Sequence, residues 1–115
     1  MLKEDNRLKK RKEFAYLYNN GSSKHASLLT IVYLPTKHRL LKVGFSVAKK
    51  IGKAHTRNLV KRRLRACVRD WVPSMLDNYN VVFIAKSGIE NATFQEIQTQ
   101  VEYLIKKAGL LRNVD

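Results

Sequence analysis

Acidic residues are scarce in this chain: 9 Asp and Glu stand against 23 Lys and Arg, leaving a net charge of +14 over 115 residues. Charge this one-sided repels itself in the folded state, and a polyanionic partner removes that cost. Cysteine occurs once, at Cys67, which excludes an intrachain disulfide. No H-x-x-x-H or C-x-x-C spacing exists, so no metal site built from protein ligands is visible, and no cofactor is expected on the chain itself. Long hydrophobic runs are missing as well. The longest, Leu28 to Leu34, is interrupted by Thr30 and is far too short to span a bilayer. Met1 to Arg7 has no apolar stretch of the secretory kind, so a cytoplasmic location is the expectation. There is no repeat and no Gly/Ser/Pro linker, and residues 1–115 read as a single domain.

A catalytic constellation is absent too. His25, His38 and His55 fall in a loop, a turn and a helix start. The acids Glu4, Asp5, Glu13, Asp70, Asp77, Glu90, Glu96, Glu102 and Asp115 are dispersed, and no carboxylate pair suggests a two-metal nuclease. Gly52-Lys53 fails as a phosphate loop, because Val47 stands where a glycine is needed and Ala54 where Ser or Thr is needed.

What is present is a dense basic stretch. From Lys49 to Arg69 there are nine Lys and Arg residues and no acid. Val60, Leu64, Cys67, Val68 and Trp71 recur at helical spacing inside it. A folded helix over about 54–71 follows, with one face on a core and Asn58, Lys61, Arg62, Arg65 and Arg69 on an arc beside it. Arg57 lies at the border, and Leu59 and Arg63 point elsewhere. A solvated helix face ordinarily mixes signs through i, i+4 pairs, and this one does not. Cys67 lies on the apolar side and reads as a small buried hydrophobe.

Around this helix the pattern predicts an α+β domain in the order αββαβα, with a further short strand or polar loop near 22–26. Phe14, Leu17 and Tyr18 give a first helix over about 10–18, stopped at Gly21. Its aromatics either plug the core or leave a stacking surface open. Leu28–Leu34 and Leu41–Ala48 read as two strands of a hairpin. The second has a small, polar face of Lys42, Gly44, Ser46 and Ala48, where a ligand backbone has room to approach. Val81–Ala85 suits a strand buried on both faces. Thr93 caps a last helix whose stripe is Phe94, Ile97, Val101, Leu104, Ile105 and Ala108. Arg side chains stack on bases and pair with phosphates, and Phe14, Tyr18 and Tyr33 offer stacking for unpaired bases.

The run Val43-Gly44-Phe45-Ser46-Val47-Ala48-Lys49-Lys50-Ile51-Gly52-Lys53-Ala54-His55-Thr56-Arg57-Asn58-Leu59-Val60-Lys61-Arg62-Arg63-Leu64-Arg65 resembles the protein subunit of bacterial ribonuclease P. That family pairs a strand ending in Ser-Val-x-Lys-Lys and a Gly with a basic helix reading Arg-Asn-Arg, then Lys-Arg and a further Arg. The likeness extends to Arg7-Leu8-Lys9-Lys10 and to Val81–Lys86. Leu59 departs from it, standing where the family has Arg.

The resemblance implies an α+β fold with a left-handed βαβ crossover around the basic helix. It implies an accessory subunit of an endoribonuclease whose RNA subunit, using Mg2+, removes the 5′ leader of precursor tRNA. No residue of this chain is then catalytic. By position, Phe14, Tyr18, a residue of the first long strand (Tyr33 or Val32), Ser46, Lys61 and Arg65 would line a cleft for the leader. Lys49, Lys50, Lys53, Arg57, Asn58 and Arg62 would face the catalytic RNA. The implied partners are ribonuclease P RNA and precursor tRNA, with no membrane and no DNA. A structural or ribosomal-type RNA-binding protein without a role in tRNA processing is the alternative, and a helix-turn-helix DNA regulator fits less well because the basic helix lies between two strands.

Overall fold

The computed structural model describes residues 6–37 and 39–112. His38, Glu4, Asp5 and Asp115 lie outside them. The elements are α1 (Arg11–Asn20), β1 (Ser22–His25), β2 (Leu29–Pro35), β3 (Lys42–Ser46), α2 (Ala54–Arg69), β4 (Tyr79–Ala85) and α3 (Phe94–Lys107), with short 3-10 turns between some of them. The strands form one sheet in the order β1-β2-β4-β3.

β4 takes an inner position because its residues are apolar on both faces, and Val81, Val82 and Phe83 are fully buried. It pairs antiparallel with β2 and parallel with β3. This overturns the expected β2–β3 hairpin. β4 separates the two strands, and the connection after Pro35 passes the start of β4, where the Thr36 amide donates to the Asn78 carbonyl at 2.8 Å. A parallel neighbour needs a long crossover, and α2 supplies it between β3 and β4. The polar Ser22–His25 stretch is a strand, at the edge beside β2.

The two faces of the sheet are covered unequally. On one, α2 and α3 seal a core of Leu29, Ile31, Val43, Val81 and Phe83 against Val60, Leu64, Val68, Ile97, Val101, Leu104 and Ile105. On the other, α1 is the one helix and Leu8 of the preceding segment joins it, and the cluster is small: Leu8, Leu17, Val32 and Val82, with Phe14, Leu34 and Ile84 half-buried at its rim. Gly21 ends α1 as expected and turns it into β1 with an extended backbone (φ −81). A Cβ there would lie 2.7 Å from the Leu17 carbonyl oxygen and 2.9 Å from Val32. α3 begins on the expected cap: the Thr93 hydroxyl accepts from the Glu96 amide at 3.1 Å, and the Glu96 carboxylate accepts from the Thr93 amide at 2.9 Å.

Candidate nucleic-acid interface

α1 starts over β3 and ends at β1. Its inward residue is Leu17. Glu13 lies to one side and pairs with Lys42 on β3 at 3.7 Å. Phe14 and Tyr18 lie to the other, their ring centroids 6.3 Å apart. The Phe14 ring rests on Gly44: a Cβ added to that glycine would come within 2.6 Å of the ring. At Gly44 the small face of β3 therefore admits Phe14, not a ligand backbone.

The outer edge of β3 is met by the N-terminal segment. Arg7 bridges Val43 in parallel register, the Leu8 amide donates to the Val43 carbonyl at 2.9 Å, and the Asn6 side-chain amide donates to the Leu41 carbonyl at 2.7 Å. Between this segment, α1 and the overhanging α2 is a hollow of about 320 Å³ lined by Arg7, Leu8, Lys9, Phe14, Val43, Gly44, Phe45, Lys61 and Arg65. The Arg65 guanidinium lies 5.9 Å from the centre of the Phe45 ring, and Phe45 stacks on the core ring of Phe83 at 6.1 Å. The core thereby positions a cation at the rim of the hollow.

Phe14, Lys61 and Arg65 thus meet at one hollow. Tyr18 flanks Phe14 and is 44% exposed. Ser46 shares the sheet face of Gly44, two residues further along β3. Tyr33 does not join them. It points to the opposite face and packs on the core beneath α2 and α3. Val32, its neighbour, has the correct side but is buried beneath α1 at 7% exposure. Strand alternation fixes this outcome once Val81 and Val43 are known to share a row with Tyr33. Lys49, Lys50, Lys53, Asn58 and Arg62 are all exposed, around the start of α2 and along its outer surface. Arg57 is half-buried, and its Nε has no hydrogen-bond partner. No side chain caps the first turn of α2 and no acid occupies it, which leaves its amides to an anion.

Sequence reasoning missed Arg7, Leu8 and Lys9 as lining residues, because only long-range edge pairing brings them to β3. It also missed the row Ser46, Ile84, Thr30 and His25, which crosses all four strands on the α1 side. The signal was the parity set by Gly44 and Ser46.

A larger hollow of about 460 Å³ lies between α2 and α3, lined by Cys67, Asp70, Trp71, Ser74, Gln95, Gln98, Thr99 and Glu102. Its carboxylates repel phosphate, so it does not compete for a polyanion. Burial first, and the Asp70 carboxylate second, push the Cys67 thiol up to about 11, which leaves it un-ionised and a poor nucleophile. Among the described residues no group of three or more His, Cys, Asp or Glu is placed to hold a metal, and no helix is long and apolar enough to cross a membrane.

Cations and aromatic rings gathered on both sides of a sheet edge, beside a crossover helix with no acid in it, define an α+β protein with a surface suited to a polyanion. The ribonuclease P family profile matches residues 2–109. The ribonuclease P protein component of Caldanaerobacter subterraneus subsp. tengcongensis is 36% identical over 104 residues, covering 90% of each chain. That of Streptococcus thermophilus is 36% identical over 112 residues, covering 97% of this chain and all (100%) of its own. The solved Staphylococcus aureus RNase P protein superimposes with a TM-score of 0.87 at 27% identity, covering 93% of this chain and 98% of that one. The chain belongs to the ribonuclease P protein family. Its role is that of the protein subunit in tRNA 5′ maturation, and the hydrolytic chemistry belongs to the RNA subunit.

Proposed function

We propose that the two surfaces of the chain divide the work between two RNAs. The groove bounded by Phe14, Tyr18, Ser46, Lys61 and Arg65 holds the single-stranded 5′ leader of precursor tRNA. The exposed set Lys49, Lys50, Lys53, Asn58 and Arg62, with Arg57 behind it, binds ribonuclease P RNA, whose own Mg2+ performs the hydrolysis. The cytoplasm is the compartment in which both RNAs would be met.

The observation that carries this reading is the meeting of Phe14, Lys61 and Arg65 at one hollow, from elements on opposite sides of β3. An aromatic face and two cations are what an unpaired, sequence-variable strand needs: stacking for its bases and charge for its phosphates. A duplex, whose major groove is too deep and narrow for side chains to read, would be met by shape and backbone on the outer surface of α2. Leu59 is 38% exposed where the family carries Arg, so the outer surface meets phosphate with one cation fewer at that point.

The test mixes ribonuclease P RNA and precursor tRNA at low magnesium, with and without the chain. Stimulated 5′ cleavage, with the chain alone inactive, is expected. Unchanged cleavage across several protein ratios would overturn the proposal.

A further inference from the structure

The hollow at β3 is one end of a longer surface. Ser46 pairs with Ile84, Ile84 with Thr30, and Thr30 with His25, so these four residues form a single row across the sheet on the face that α1 leaves partly open. The row beneath α1 is the preceding one, in which Ser23, Val32, Val82 and Gly44 are aligned. On one side of α1 Glu13 pairs with Lys42 at 3.7 Å, and Phe14 and Tyr18 leave the helix on the other side, toward the Ser46–His25 row. Three inter-strand spacings give this row a length of about 14 Å.

His25 ends it. The imidazole Nδ1 and the Thr30 hydroxyl are 3.0 Å apart, and Thr30 is buried at 8% exposure, so the ring is tethered from below while the residue itself stays exposed. This bond uses one ring nitrogen and leaves Nε2 for a ligand. At the same corner the Lys86 ammonium donates to the Ala26 carbonyl at 2.7 Å. A tethered, flat, hydrogen-bonding ring beside a cation has the chemistry of a subsite for an unpaired base.

We propose that His25, held by Thr30, forms a terminal subsite for the leader nucleotide farthest from the cleavage site, and so sets the leader length beyond which affinity stops rising. The direction follows from the strand order: β3 adjoins the surface assigned to the catalytic RNA, and β1 is the opposite edge. This rests on the groove reading above.

The experiment measures holoenzyme affinity for precursor tRNAs whose leaders are lengthened one nucleotide at a time, for the parent chain and for Phe14→Ala, His25→Ala and Thr30→Val. For His25→Ala, unchanged affinity with short leaders is expected, with about a fivefold loss once the leader spans the row. Thr30→Val keeps the side-chain shape, removes the tether, and should give a smaller loss at the same lengths. A His25→Ala loss that is equal at every length, or no loss at any length, would overturn the subsite. A Phe14→Ala curve parallel to the parent's would instead overturn the groove reading itself.

Discussion

The two faces of the sheet are made of the same strands and do different work. Beneath α2 and α3 the face is sealed, and Phe83, Ile31 and Val81 are inaccessible to solvent. Beneath α1 it is half-covered, and Ile84 and Ser46 remain partly exposed beside Phe14 and Tyr18. One helix cannot cover four strands, and what it leaves uncovered becomes a groove. The buried core is concentrated on one side of β4, and if the proposed groove lies on the other, substitutions on the two faces should separate stability from leader binding.

The largest expected effect tests the sealed face. Phe83→Ala should lower unfolding free energy by about 3–5 kcal/mol, read from urea denaturation. If the loss were below about 1 kcal/mol, the sealed face would not be the principal core. On the open face, Phe14→Ala should weaken binding of long-leader precursors by about 1–3 kcal/mol and leave mature tRNA binding unchanged. Equal losses for both RNAs would make Phe14 a core residue only.

Gly44→Ala sharpens the boundary, since its Cβ would displace the Phe14 ring. It should reproduce part of the Phe14→Ala binding loss, and the double variant should be no worse than Phe14→Ala alone. Additive losses would show that Gly44 acts independently of the ring. Replacing Lys61 and Arg65 together by Ala should reduce the salt slope of leader binding by about 0.7 for each phosphate left without its cation, with thermal stability little changed. An unaltered slope would remove both cations from the phosphate path.

The smallest effect concerns Cys67. With its thiol pushed up to about 11, alkylation by iodoacetamide near pH 8 should be much slower in the native chain than in urea. The unfolded thiol ionises first, so its contribution to stability is complete below the ordinary thiol value and is lost as pH rises toward about 11. Equal alkylation rates would contradict its burial.

Much of the architecture was legible because it is local. The stripe Val60, Leu64, Cys67 and Val68 identifies α2 and its buried side, and all four are buried. The apolar run Val81–Ala85 identifies a strand covered on both faces, and Thr93 marks a helix start. Partner choice was not local. Nothing in Leu29–Pro35 or Lys42–Ser46 states that a strand from much later in the chain will come between them, so the hairpin expectation failed. The same limit explains Tyr33, which alternation alone assigns to one of two faces without saying which carries the groove. It also explains Arg7, whose basic character was visible but whose edge pairing with β3 was not. The position of Lys61 and Arg65 beside the sheet was legible because the helix wheel puts them at the border between the apolar stripe and the charged arc, and both line the hollow at β3.

If the half-covered face, and not the outer surface of α2, reads the leader, the two surfaces can be uncoupled in one assay. The most direct measurement compares the affinity gained on adding a leader to tRNA in holoenzyme carrying the parent chain, Phe14→Ala, or Arg62→Ala. The gain should shrink with Phe14→Ala and persist with Arg62→Ala, which should instead weaken binding to ribonuclease P RNA. A gain that survives Phe14→Ala and disappears with Arg62→Ala would contradict the division of the two surfaces.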